Sequence, residues 1–452
     1  MRTKRILSNG LLVALLLTLA PVIASSATKV TSGASCKIYK QKVTYQNKTY
    51  TCIKSGKKLV WSKGVPVVVA TTTTTAALAI NTLPDSTGYL NVSNCKLING
   101  SNDIYVNQSF QQSPFRLRTN KPIRALIFPV DFPDLIGNSD PQKDFAYVAD
   151  GVSDYFKQMS DGKVIFNWTI YPRFVRYGST VADANLGGRT ANGFGNFYAE
   201  ATKLAKQTVD ISSFDVIIYA PPLTTTRDQI AIGPAFVSSS SDRISATMLD
   251  GQSYEMKSPL STAHEIGHLM GLADLYNFEA ANEAAANPGA HSANDLQFKY
   301  MGIFDLMNWA QGTGVELTAW NRWLIDLISD NQIRCLPASS TTTLLSPLEI
   351  NSGIKGAVIP LSKTEAIVIE SRRALRYDKN MGSESEGVLI YKVDTSISSG
   401  FGPMRVVGRP ASTDIWFRDA PLKLNESRIV NGYTIEVIKS DEFGDVVKVS
   451  KN

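Results

Sequence analysis

The chain has 452 residues, 43% hydrophobic and 19% charged, which excludes an intrinsically disordered protein and allows roughly two or three packed domains. The formal charge of +6 includes Arg2, Lys4 and Arg5; without those three it falls to about +3. That is too little to argue for nucleic acid or an anionic surface as a partner.

The first predicted element is a leader. Arg2, Lys4 and Arg5 precede an apolar run from Leu11 to Ala20, and Val22-Ile23-Ala24 and Ser25-Ser26-Ala27 both offer a small-x-small cleavage pattern. Residues 1–27 are therefore expected to be a signal peptide, the alternative being a retained anchor that its length disfavours. No later stretch has the apolar span of a membrane helix, so a secreted protein without stable membrane insertion is expected.

Export places four cysteines, Cys36, Cys52, Cys95 and Cys335, in an oxidising setting. Cys36 and Cys52 lie close enough in sequence to pair, which would stabilise a small module at residues 32–64 by roughly 3 kcal/mol. Cys95 and Cys335 would then close a long loop; the alternative is that Cys95 supplies a thiolate blocking a metal in a precursor. Within the module, Val43–Tyr45 and Thr49–Thr51 flank a Gln46-Asn47-Lys48 turn. Residues 65–84, with threonines from Thr71 to Thr75, read as a linker, and 85–120 as an N-terminal extension or a pro-segment.

From Lys121 the pattern is α+β. Ile123–Val130 and Phe214–Ala220 are apolar runs typical of buried strands, and Val164–Tyr171 alternates as a strand does. Phe145, Val148, Val152, Tyr155, Phe156 and Met159 recur at helical spacing, as do Phe197, Tyr198, Ala201, Leu204 and Ala205. Helical periodicity fades beyond Cys335. Strand candidates at Ala357–Leu361, Ala366–Ile369, Val388–Val393 and Tyr433–Ile438 mark a β-rich C-terminal domain at 336–452, after a domain at 121–335.

The chemistry lies in Ser261 to Asp274, STAHEIGHLMGLAD. Residues four apart share a helix face, so His264 and His268 can present two imidazoles to one ion, with Glu265 leaning over the attacking water. Gly271 allows the chain to turn back and bring Asp274 to the same ion. Two imidazoles, a carboxylate and a water form the open tetrahedral site of a catalytic zinc. The chain has only three histidines, and two of them stand at ligand spacing. The reaction expected is amide hydrolysis of protein or peptide substrates, Glu265 acting as general base.

His264 to Tyr276 (HEIGHLMGLADLY) resembles the active-site helix of the immune inhibitor A family of bacterial metallopeptidases, relatives of the metzincins in which aspartate replaces the third histidine. Leu126–Asp134, Asp154–Lys163, Phe304–Asn308 and Leu317–Trp323 resemble its catalytic domain in order, and Ile367–Arg372 and Gly387–Asp394 the β-domain that follows. The resemblance implies a metzincin-like zinc peptidase domain and a Met-turn, best matched by Met307. Asp305 matches the same motif without an evident chemical role. Calcium would fit the family, but no loop for it is evident, leaving one Zn2+ as the expected cofactor. Tyr276 or Tyr300 is a candidate hydrogen-bond donor to the oxyanion, and His291, in an Ala/Asn-rich stretch, reads as a solvated loop residue. A catalytically inactive cell-surface protein, contacting the envelope through the N-terminal module, is the alternative; a serine hydrolase is disfavoured because no G-x-S-x-G occurs.

Overall fold

The computed structural model describes residues 30–45, 48–66, 88–187, 193–230, 236–237 and 245–452. The expected signal peptide, most of the expected linker and Gln46-Asn47 of the expected turn lie outside them. The chain divides into two compact units, Met1–Thr75 and Ala76–Asn452.

In the first unit, β1 (Lys42–Tyr45), β2 (Lys48–Ser55), β3 (Lys58–Trp61) and β4 (Val65–Pro66) form an antiparallel sheet. Its order is β1-β2-β3, with β4 also pairing β2. Two strands beyond the expected hairpin are present. Among the described residues of this unit the buried apolar ones are Val30, Tyr50 and Cys52, too few to hold so small a fold alone. The Cys36–Cys52 disulfide forms as expected and supplies the missing constraint.

The second unit begins its main sheet with β5 (Ile123–Asp131), buried along almost its whole length. It continues with β6 (Phe166–Ile170), β7 (Val175–Arg176), β8 (Val216–Ala220), β9 (Phe236–Val237) and β10 (Ser245–Met248). The order is β6-β5-β8-β10-β9 with β7 beside β5; all pairs are parallel except the edge pair β10–β9. Pro129 has no N–H to give the ladder, and β5 hands over from β6 to β7 around it. The helix Ala146–Met159 buries Val148, Val152, Tyr155, Phe156 and Met159, the helical stripe expected from spacing. The helix Phe194–Thr208 covers the other face through Phe197, Tyr198, Ala201 and Ala205.

The C-terminal half is two sheets. β11 (Ile333–Cys335), β13 (Gly356–Pro360), β14 (Glu365–Arg372), β15 (Gly387–Asp394) and β16 (Met404–Val406) pair in that order. The second holds β12 (Thr341–Leu345), β19 (Gly444–Lys451), β18 (Tyr433–Asp441) and β17 (Ser427–Val430). Alternation explains the stacking. Ile359, Ile367, Ile369 and Ile390 face Ile435, Val437, Val447 and Val449 of the second sheet, whereas Val358, Val368, Leu389 and Tyr391 join the larger core with Trp320 and Trp323. The expected strands in this region are thus present. The fold is a mixed α and β one, and the four cysteines form two disulfides.

Where those halves meet, the short helix Ala319–Leu324 starts against carboxylates: Ala319 N–H donates to Glu370 (2.8 Å) and Thr318 N–H to Asp305 (2.8 Å). Arg322 pairs with Glu316, and Arg372 with Glu349, Glu370 and Asp378, all of them buried. Carboxylates outnumber guanidinium groups here, and burial pushes the Glu349 carboxyl well above its ordinary value.

Residues 88–120 are part of the same core. Leu97 and Leu117 are buried in it, and Cys95 is bonded to Cys335. The disulfide corrects the alternative in which Cys95 blocks a metal: it has no thiolate to offer. Among the described residues, no helix is long and apolar enough to cross a membrane.

Candidate metal centre

The helix carrying both histidines spans Leu260–Leu269 and buries Ala263, Ile266 and Leu269 in the main core, against residues of the helix Ala146–Met159. It ends in a Schellman motif: Leu272 N–H donates to Gly267 O (3.0 Å) and Gly271 N–H to His268 O (2.9 Å). Gly271 carries the left-handed turn at φ 107°, and a Cβ there would lie 2.0 Å from Gln112 Oε1. The segment 88–120 satisfies the freed carbonyls, Leu117 N–H donating to Leu269 O (2.7 Å) and Asn107 N–H to Gly271 O (3.2 Å).

The turn reverses the chain and returns Asp274 to the helix face. Its Oδ1 lies 3.1 Å from His264 Nε2 and 3.2 Å from His268 Nε2. Zinc bond lengths of about 2.0–2.1 Å around a tetrahedron place neighbouring donor atoms about 3.3 Å apart, so this spacing suits three ligands of one ion. The opposite ring nitrogens define the tautomers. His264 Nδ1 lies 3.0 Å from Leu306 O and His268 Nδ1 2.8 Å from Leu272 O. A carbonyl can only accept, so each Nδ1 carries a proton, and a neutral ring then turns its Nε2 lone pair toward Asp274. Three acceptor atoms this close call for a cation or extra protons between them. Burial lowers the His268 imidazole, but the Asp274 carboxylate outweighs it and raises it to about 10.

Glu265 also belongs to this group: ligand atoms of His264, Glu265 and His268 all lie within 4.8 Å of one another. Asp274 is the better third ligand because its oxygen approaches both imidazoles more closely. Burial raises the Glu265 carboxyl above its ordinary value, against the lowering pull of His268 and His264. His264 is buried, whereas Glu265, His268 and Asp274 are half-buried, so the group opens toward solvent.

Beneath it lies the turn Phe304–Asn308. Leu306 O accepts from His264, and Met307 O accepts from Leu275 N–H (3.0 Å). Met307 Sδ packs so close under Gly267 that a Cβ there would approach it to 2.7 Å. Asp305 gains the role that its sequence did not reveal. Its carboxylate is fully buried and accepts from Met307 N–H (2.8 Å), Thr318 N–H (2.8 Å) and Asn321 Nδ2 (2.9 Å). It ties the turn to the helix Ala319–Leu324.

Of the tyrosines, Tyr276 lies beside His264, its ring 6.3 Å from the imidazole and 30° from parallel. Tyr300 is buried, with its hydroxyl 3.4 Å from Asn277 Oδ1 and its ring 4.2 Å from the Arg405 guanidinium. His291 is exposed in the loop between two short helices.

Sequence reasoning missed Ser399. Ser399 Oγ accepts from Asp274 N–H (2.9 Å), Gly400 N–H donates to Asp274 O (3.0 Å), and Ser399 N–H donates to Asp103 Oδ2 (3.0 Å). Asp274 is thus gripped on both backbone faces by the loop between β15 and β16. No local signal marks a residue 125 positions away. No known protein-family model matches the chain, and no curated protein matches its sequence.

Proposed function

We propose that the chain is an exported, zinc-dependent endopeptidase of the immune inhibitor A type, related to the metzincins. One observation carries this: two Nε2 atoms and one carboxylate oxygen converge at 3.1–3.2 Å, with both Nδ1 atoms held by backbone carbonyls. His264, His268 and Asp274 would hold the ion. Zinc bound there would polarise a water and the scissile carbonyl and stabilise the developing oxyanion.

The protein side of the chemistry falls to Glu265. It takes the proton from the attacking water and delivers it to the leaving amine. The Leu306 and Leu272 carbonyls fix the ring orientations, and Met307 supports the helix from below. Tyr276, beside His264, is the better placed tyrosine to donate to the oxyanion. Two disulfides fit an oxidising compartment.

The test compares wild type with Glu265→Gln, both zinc-loaded. Both are expected to hold about one zinc per chain, with casein hydrolysis reduced on the order of 10²–10⁴-fold in the variant. Equal turnover would remove Glu265 from the mechanism. Zinc binding without any hydrolysis by the wild type would favour the inactive surface protein.

A further inference from the structure

A row of rings leaves the metal centre and ends in solvent. The Tyr276 ring, beside His264, is 5.3 Å from that of Phe278, which is 6.1 Å from that of Phe401. Phe278 and Phe401 are 49% and 43% exposed, unusual for large apolar side chains placed together. They come from opposite halves of the second unit: Phe278 follows the third ligand, and Phe401 sits on the loop between β15 and β16.

The ledge is a built surface. Phe278 N–H donates to Gly400 O (3.0 Å), while Gly400 N–H donates to Asp274 O (3.0 Å). The Phe278 ring lies flat on Gly400, where any Cβ would come within 2.3 Å of it. The backbone that fixes the third ligand therefore also fixes the rings.

We propose that Tyr276, Phe278 and Phe401 form a substrate subsite that takes apolar side chains, aliphatic or aromatic, of an extended peptide. This rests on the peptidase reading of the metal centre. The row starts at a ligand imidazole, so the occupant is a residue within roughly three positions of the scissile bond. The preferred substrates are proteins unfolded enough to present an apolar residue in extended form, and the C-terminal β-rich half acts in selection through Phe401.

The experiment maps cut positions in unfolded casein by mass spectrometry, using the zinc-loaded full chain and the variant Phe278→Ser/Phe401→Ser. Wild-type cuts are expected to be enriched in Leu, Phe or Met at one fixed position within three residues of the cut. A peptide built on the best of these should lose about tenfold in kcat/KM in the variant. Its counterpart with Ala at that position should be cut equally by both, and zinc content should not change. Cuts without apolar enrichment, or a variant that keeps the preference, overturn the subsite while leaving the peptidase reading intact. If the zinc-loaded wild type cuts nothing, the peptidase reading fails, and the subsite falls with it.

Discussion

Asp305 holds a left-handed backbone conformation, φ 75°, that costs a non-glycine residue about 1–2 kcal/mol. Three donors converge on its carboxylate and over-determine that conformation. Removing the carboxylate strands two buried backbone N–H groups and one amide. Asp305→Ala is therefore expected to lower unfolding free energy by about 2–4 kcal/mol, read from urea denaturation, and to weaken zinc binding because Leu306 O shifts. His268 gives a second expectation. Raised to about 10 by Asp274, it holds a proton at pH 7 that an arriving zinc ion would displace. The sign follows: affinity rises with pH, about tenfold per unit for one displaced proton, and levels off near pH 10. Competition with a chelator from pH 6 to 9 measures it; a flat profile would show that no proton is exchanged.

Among the elements, the helix Leu260–Leu269 and its turn were legible because everything they need is local. Histidines four apart, the glycine at the cap and the returning aspartate lie in one short segment, and the Schellman bonds follow from it. Gly271→Ala tests that turn. With φ 107° and Gln112 Oε1 in the way, it is expected to cost about 1–3 kcal/mol and to loosen Asp274, seen as a weaker zinc affinity. Strands β5, β8, β14 and β15 were legible for a different reason: burial on both faces writes a continuous apolar run. The short edge strands β7, β9 and β16 carry no such run and were not foreseen. Nor was the loop holding Ser399 and Phe401, whose partners are distant in sequence. Asp305 showed a motif but not a purpose, since its role depends on Thr318 and Asn321 coming alongside.

At the scale of the molecule, the Cys95–Cys335 bond closes a loop of 240 residues across the second unit. Replacing both cysteines by serine is expected to cost about 4–5 kcal/mol, checked by denaturant midpoints against wild type. Lys355 makes a further prediction. It is buried beside the ionic cluster, donating to Pro347 O at 2.8 Å, and burial lowers it to about 7. Between about pH 7 and 10.5 the unfolded chain keeps a proton there that the folded chain sheds, so this group adds stability as pH rises. Lys355→Met lacks that gain. The stability difference between wild type and variant should therefore move in favour of wild type by about 2 kcal/mol from pH 7 to pH 9.

The grip on Asp274 reaches past the residues that do chemistry. Asp103 orients Ser399, and Ser399 in turn fixes the backbone of Asp274. A fragment stopping at residue 335 would keep both histidines and the glutamate but lose Ser399 and Gly400, and with them both hydrogen bonds that hold the Asp274 backbone. One starting at residue 121 would lose Asp103 and the cover over the helix end. Holding Asp274 against the two imidazoles is therefore the work of the whole second unit, and cutting away either end of it removes part of that hold.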